Sequence, residues 1–199
     1  MNNTYTNEQQ IIDWLEKHKV KNYRLVPDKK YGFIVNVNGD VNLSFKELIN
    51  IPIKFNKITG SFYCDNNKLT SLEFSPYTVV GSFYCYSNKL ISLEFSPQKV
   101  VGSFLCNNNQ LTSLEFCPKI VGGDFYCHNN KLTSLEFCPQ TVSGSFSCEN
   151  NPQLKEVQKI TKFKLIYLEH EKALITKFSD KLESDLINDN SKKTAKIKI

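Results

Sequence analysis

Residues 60–80 read GSFYCDNNKLTSLEFSPYTVV, and residues 81–101 read GSFYCYSNKLISLEFSPQKVV. The chain restates itself every 21 residues. Gly102 opens GSFLCNNNQLTSLEFCPKIVG, Gly123 opens GDFYCHNNKLTSLEFCPQTVS, and Gly144 opens GSFSCENNPQLKEV. A degenerate copy begins at Gly39, with Val41, Leu43, Leu48 and Ile51 in the apolar slots, making six copies in all. Self-similarity at a period of roughly 20–29 residues marks a solenoid, whose units become stable only by stacking on their neighbours. Such a molecule presents an extended surface and binds something.

Within a unit the order is L-x-L-x-x-N-x-L-x-x-L, filled by Phe62, Cys64, Asn67, Leu69 and Leu72. The alternation Val79, Gly81, Phe83, Cys85 has period two, as a short half-buried strand requires. Strands are therefore expected at 61–65, 82–86, 103–107, 124–128 and 145–149, forming one parallel sheet. Twenty-one residues leave little room for a helical return, so extended or 3₁₀-like segments are expected beyond the Asn. The Asn column (Asn67, Asn88, Asn109, Asn130, Asn151) offers amides that can bridge backbone groups of adjacent coils. The Phe column (Phe62, Phe83, Phe104, Phe125, Phe146) is expected to stack as an apolar spine.

The repeat resembles the short leucine-rich repeats of bacterial and phage-encoded proteins, with units close to GxFxCxNNxLTSLExxPxxV. The likeness extends over roughly residues 39–157. It reaches the N-terminal segments IIDWLEKH, VNGDVNLS and IPIKF, which look like the entry of such proteins. It implies an α/β repeat: a leucine-rich-repeat solenoid with one parallel sheet on a concave face and capped ends. Such repeats serve mainly as protein-binding scaffolds and are reused for many partners.

Residues 1–38 are expected to form an N-terminal cap of one helix and short strands. Thr6 and Gln9 have capping-box spacing ahead of Ile11, Ile12, Trp14 and Leu15. Trp14 is expected to plug the open end of the first coil. Tyr23 to Val26 and Phe33 to Val37 read as strands joined across residues 27–30. Residues 158–199 are expected to supply a last strand, an amphipathic capping helix with Leu174, Phe178, Leu182 and Leu186, and a basic tail.

With 199 residues and 40% apolar content, one elongated domain is expected. No apolar run of about 18 residues exists, and MNNTYTNEQQ carries no signal-like apolar core, so the expected address is cytoplasmic. The net charge of +5 is unevenly spread. Residues 1–38 carry six basic and four acidic side chains, residues 39–154 eight and nine, and residues 155–199 eleven and seven. The repeat body is close to neutral, and the basic excess belongs to the ends.

Of seven cysteines, Cys64, Cys85, Cys106, Cys127 and Cys148 are spaced at the repeat period and read as a buried ladder of thiols. Cys117 and Cys138 replace Ser75 and Ser96 of earlier copies. They are expected on the convex loops, first to react with alkylating agents, and near enough for a disulfide only in oxidising surroundings. No pair has zinc-ligand spacing, so no metal and no cofactor are expected. Among the histidines, His128 alone adjoins a thiol, that of Cys127, and strand alternation sends the two to opposite faces. No catalytic constellation is present, so no enzyme is expected.

The outward strand positions are expected to carry the function. Those singled out are Tyr63, Asp65, Tyr84, Tyr86, Leu105, Asn107, Asp124, Tyr126, His128 and Glu149. No Lys or Arg stands among them, which disfavours nucleic acid on that face, whereas tyrosine is a favoured interface anchor. The Lys68 and Glu73 columns are expected to keep the edges soluble. The expected function is a non-enzymatic scaffold that binds a partner protein with a basic contact surface. The chain is expected to be a monomer and to have no membrane role, and the resemblance suggests a phage-type inhibitor or adaptor acting on a host protein. The alternatives are nucleic-acid binding through the Lys-rich C-terminal segment, or a structural spacer.

Overall fold

The computed structural model describes residues 5–154. The C-terminal strand, capping helix and basic tail expected beyond that point lie outside the described residues. The chain enters through a helix, α1 (Glu8–Lys17), and a hairpin of β1 (Tyr23–Asp28) and β2 (Gly32–Val37). Eleven further strands follow: β3 (Val41–Asn42), β4 (Phe55–Ile58), β5 (Phe62–Tyr63), β6 (Thr78–Val79), β7 (Phe83–Tyr84), β8 (Lys99–Val100), β9 (Phe104–Leu105), β10 (Ile120–Val121), β11 (Phe125–Tyr126), β12 (Thr141–Val142) and β13 (Phe146–Ser147).

These strands build two sheets, and here the structure corrects the expected α/β leucine-rich-repeat solenoid with one parallel sheet. A first sheet runs β1-β2-β4-β6-β8-β10-β12, and a second runs β3-β5-β7-β9-β11-β13. Apart from the β1–β2 hairpin, every pairing is parallel, and Phe62, Phe83, Phe104, Phe125 and Phe146 follow one another in register. The molecule is a β-solenoid with a 21-residue coil, and α1 is the one helix among the described residues.

The run Val79-Val80-Gly81-Ser82-Phe83, read in sequence as one strand, bends at Gly81 and feeds two sheets. Gly81 N–H donates to Gly60 O across 2.8 Å. A Cβ on Gly81 would fall 2.6 Å from the Gly60 carbonyl carbon. From Gly60 to Gly144 the Gly column thus reflects close approach of coils, whereas Gly39, which opens the first copy, has φ +128 and nothing within 4 Å of an added Cβ. The return limb is too short for a helix and carries β-branched pairs such as Thr78–Val79 and Thr141–Val142, which suit an extended chain.

A third run, such as Leu90 to Leu93, closes each coil. It carries no strand, yet Lys89 N–H still bonds Leu69 O of the preceding coil at 2.9 Å. The turn that follows places Phe74, Phe95 and Phe116 at φ +68, +67 and +69. It is closed by Ser75 N–H to Leu72 O at 2.9 Å. This is the i+2 position of a type II geometry, where glycine is the usual occupant.

The spine forms as expected. Phe62, Phe83, Phe104, Phe125 and Phe146 stack with ring centroids 5.5–5.8 Å apart. Phe55 closes the near end edge-on at 5.2 Å, and Trp14 rests against Phe55 at 6.3 Å. Trp14, 7% exposed, therefore plugs the first coil. Helix α1 is capped by Asn7, one residue later than the expected Thr6: its Oδ1 accepts the Gln9 N–H at 2.9 Å.

The thiol ladder lies inside, fully so for Cys64, Cys85, Cys106 and Cys127. Cys117 and Cys138 depart from the expectation of reactive convex loops, being 4% and 3% exposed, and none of the seven cysteines is joined in a disulfide. The Ser96 hydroxyl explains their inward turn: it donates to Phe116 O of the next coil at 2.7 Å, and the Cys117 thiol repeats that contact to Phe137 O at 3.0 Å.

Candidate functional site

Two ladders of polar side chains hold the corners of the second sheet and decide what its outer face can show. Asn109 Nδ2 donates to Cys85 O, Cys106 O and Asn107 O within 3.0–3.3 Å, and its Oδ1 accepts the Leu90 N–H at 3.0 Å. Asn130 and Asn151 repeat the set one coil on each. The bridging role read from the Asn column is what the amides perform.

The second ladder went unread in the sequence. The residue after each repeat Gly accepts the backbone N–H of its successor in the next coil: Asp40 from Ser61, Ser61 from Ser82, Ser82 from Ser103, Ser103 from Asp124, and Asp124 from Ser145, over 2.7–3.0 Å. Asp124 therefore holds the corner as well as facing outward. The signal was the G-S/G-D dipeptide itself, since only short oxygen-bearing side chains fill the slot.

Strand alternation also ends sooner than expected. After Cys64 the chain turns through Asn66 at φ +51, so Asp65 folds inward and is 3% exposed. Asn107, at the same place two coils on, is 8% exposed. Tyr63, Tyr84, Tyr86, Leu105 and Tyr126 remain half-buried on the outer face, and Glu149 is exposed.

The structure sorts the expected site residues into two groups. Farther along the solenoid, the Tyr126 and His128 rings lie 5.8 Å apart, and His128 Nδ1 meets Ser147 Oγ at 2.8 Å. Ser147 Oγ in turn donates to a Glu149 carboxylate oxygen. Toward the N-terminal end, the Tyr63 and Tyr84 rings lie 5.0 Å apart and Tyr84 and Tyr86 lie 6.4 Å apart.

This second group lines an open cleft of about 700 Å³. The sheet contributes the three tyrosines and Leu105, the first coil contributes Asp40, Asn42, Ser44, Phe45 and Lys46, and the end of α1 contributes His18 and Lys19. Asp65 reaches the cleft from within, its Oδ1 accepting Ser44 Oγ at 2.7 Å and its Oδ2 accepting Asn66 Nδ2 at 2.8 Å. Burial, and then the charge of Asp65, push the Tyr86 phenol above its ordinary pKa. The His18 imidazole, stacked on Trp14 at 4.0 Å, is pushed down mainly by burial.

Sequence reasoning missed His18, Lys19, Phe45 and Lys46. The first two reach the cleft only because α1 docks on the first coil. Phe45 occupies the left-handed slot (φ +56) that Asn66, Ser87 and Asn108 fill in later coils, and is 74% exposed.

Burial holds Cys64, Cys85, Cys106 and Cys127 well above the ordinary thiol pKa, and Cys117 is raised to about 12. Among the described residues no group of three or more His, Cys, Asp or Glu side chains is placed to hold a metal ion, and no helix is long and apolar enough to cross a membrane. No protein-family model matches the chain, and neither a curated protein nor a solved structure shows detectable similarity to it.

Proposed function

We propose that this chain is a non-enzymatic interaction scaffold that grips a partner protein on the outer face of its second sheet, centred on the cleft beside α1. The observation that carries the reading is the gathering of Tyr63, Tyr84 and Tyr86, half-buried and in mutual ring contact, around that cleft. Tyrosines held this way expose large amphipathic area with little further loss of rotamer freedom, which is what interface anchors need. The outward strand positions of the second sheet carry no Lys or Arg, so a phosphate backbone would find no counter-charge on those strands.

The resemblance of the repeat to short bacterial and phage leucine-rich repeats favours an inhibitor or adaptor directed at a host protein. Tyr126 and His128 extend the face along the solenoid and give the partner a second point of contact.

The test is the triple variant Tyr84→Ala/Tyr86→Ala/Tyr126→Ala, compared with the parent for a partner captured from the native host. Each anchor is worth at least about 2 kcal/mol, so affinity is expected to fall by well over about thirtyfold with the fold retained. Raising salt is expected to change parental binding little. Unchanged affinity in the variant would move the site off this face. If neutralising Lys192, Lys193, Lys196 and Lys198 abolished binding instead, with a steep salt dependence, the nucleic-acid alternative would stand.

A further inference from the structure

Asp65 is a buried carboxylate with no ion-pair partner among the described residues. The ion pair found among the described residues joins Lys68 to Glu47, elsewhere on the surface. Its recorded partners are neutral donors, the Ser44 hydroxyl and the Asn66 amide, with the Tyr86 phenol against it. A carboxylate offers about four lone-pair sites, so these leave acceptor capacity unused. Burying a charge without a counter-charge is costly, and proteins retain such groups where something else compensates them.

The rings of Tyr63, Tyr84 and Tyr86 line the same cleft as this carboxylate, and Phe45 lines it too. Aromatic faces beside a negative charge attract cations through the ring quadrupole, and guanidinium most readily because it also stacks flat. Lys19 and Lys46 also line the cleft, but neither lies over a ring: the cation–ring contact found among the described residues is Lys30 on Tyr31.

We propose that the cleft is an aromatic–carboxylate cage that takes an arginine side chain of the partner protein, seated among Tyr63, Tyr84 and Tyr86 and compensated by Asp65. This rests on the reading of the second sheet as the binding face and names what enters it. Lys19 and Lys46 then favour an arginine with an acceptor next to it, such as its own backbone carbonyl or an acidic neighbour.

The test uses the full chain and a small probe, so it does not depend on knowing the partner. N-acetyl-L-arginine amide is titrated while the tyrosine ring signals are followed by NMR. Saturable binding with a Kd on the order of 1 mM is expected for a fragment of this size. Shifts are expected on Tyr63, Tyr84 and Tyr86 and not on Tyr126. Asp65→Asn, which keeps the shape and the Ser44 contact, is expected to weaken the probe about tenfold, and Tyr84→Leu to do likewise. Should Asp65→Asn fail to fold, Tyr84→Leu carries the same readout.

The proposal is overturned if the probe leaves the rings unmoved, if both variants bind it as the parent does, or if N-acetyl-L-glutamate amide binds more tightly than the arginine amide. The last result would mean that Lys19 and Lys46 set the charge preference. Failure of the probe with partner binding still lost in the triple tyrosine variant would remove the cage and leave the binding face standing. Loss of neither would remove both.

Discussion

Asn109 shows most plainly how one residue type, repeated, holds this chain. Its amide fastens three carbonyls and one backbone N–H belonging to two coils, all in the interior. Asn109→Ala leaves several buried groups without partners, each costing about 1–3 kcal/mol. A loss of at least about 3 kcal/mol is expected in urea unfolding, while Gln110→Ala, next in the chain but exposed, is expected to stay within about 0.5 kcal/mol. This role was legible in the sequence because an amide recurring at the repeat spacing has few other reasons to recur. The contrasting case is Asp65, which strand alternation placed outside. Its burial depends on the left-handed turn at Asn66 and on a hydroxyl from the preceding coil, neither of which a period-two pattern encodes. Phe45 was hidden for a related reason, since nothing in the repeat pattern marks its slot, filled later by Asn66, Ser87 and Asn108, as a left-handed turn.

At the scale of the element, the thiol ladder makes alkaline pH the weak flank of the fold. Thiols in the unfolded chain ionise near their ordinary value of 9.0, whereas burial keeps Cys64, Cys85, Cys106 and Cys127 protonated well beyond it and Cys117 to about 12. Above that ordinary value the unfolded chain releases protons that the folded chain keeps, so stability is full below pH 9 and falls as pH rises toward the folded values. Urea midpoints measured under reducing conditions from about pH 8 to about pH 10.5 are expected to decline, and a Cys85→Ala/Cys106→Ala variant to decline less steeply. A flat profile would place these thiols in contact with water. The ladder itself could be read from the sequence, but the sheets could not. Val79 to Cys85 has the alternation of one strand, and what divides it is the close approach of neighbouring coils at Gly81. Cys117 and Cys138 were misjudged likewise, because the slot's inward turn follows from a bond to the next coil's carbonyl.

For the molecule as a whole, the period announced a solenoid, the Phe and Asn columns announced its spine and corner, and the hairpin and α1 announced its entry. The number of sheets and the cleft arise from how 21-residue coils close and how α1 meets the first of them. The account's central claim is that the outer face of the second sheet, beside α1, is where a partner protein sits. The most direct measurement places a photo-reactive p-benzoyl-phenylalanine at position 84 of the full chain in its native host, and at position 116 in a second preparation. Phe116 is 48% exposed on the turn beyond the third run of its coil, so it samples a different surface with greater access than the half-buried Tyr84. The account expects a discrete cross-linked adduct from position 84, lost on adding Tyr86→Ala and Tyr126→Ala, and none from position 116. An adduct from position 116 with none from position 84 would contradict it.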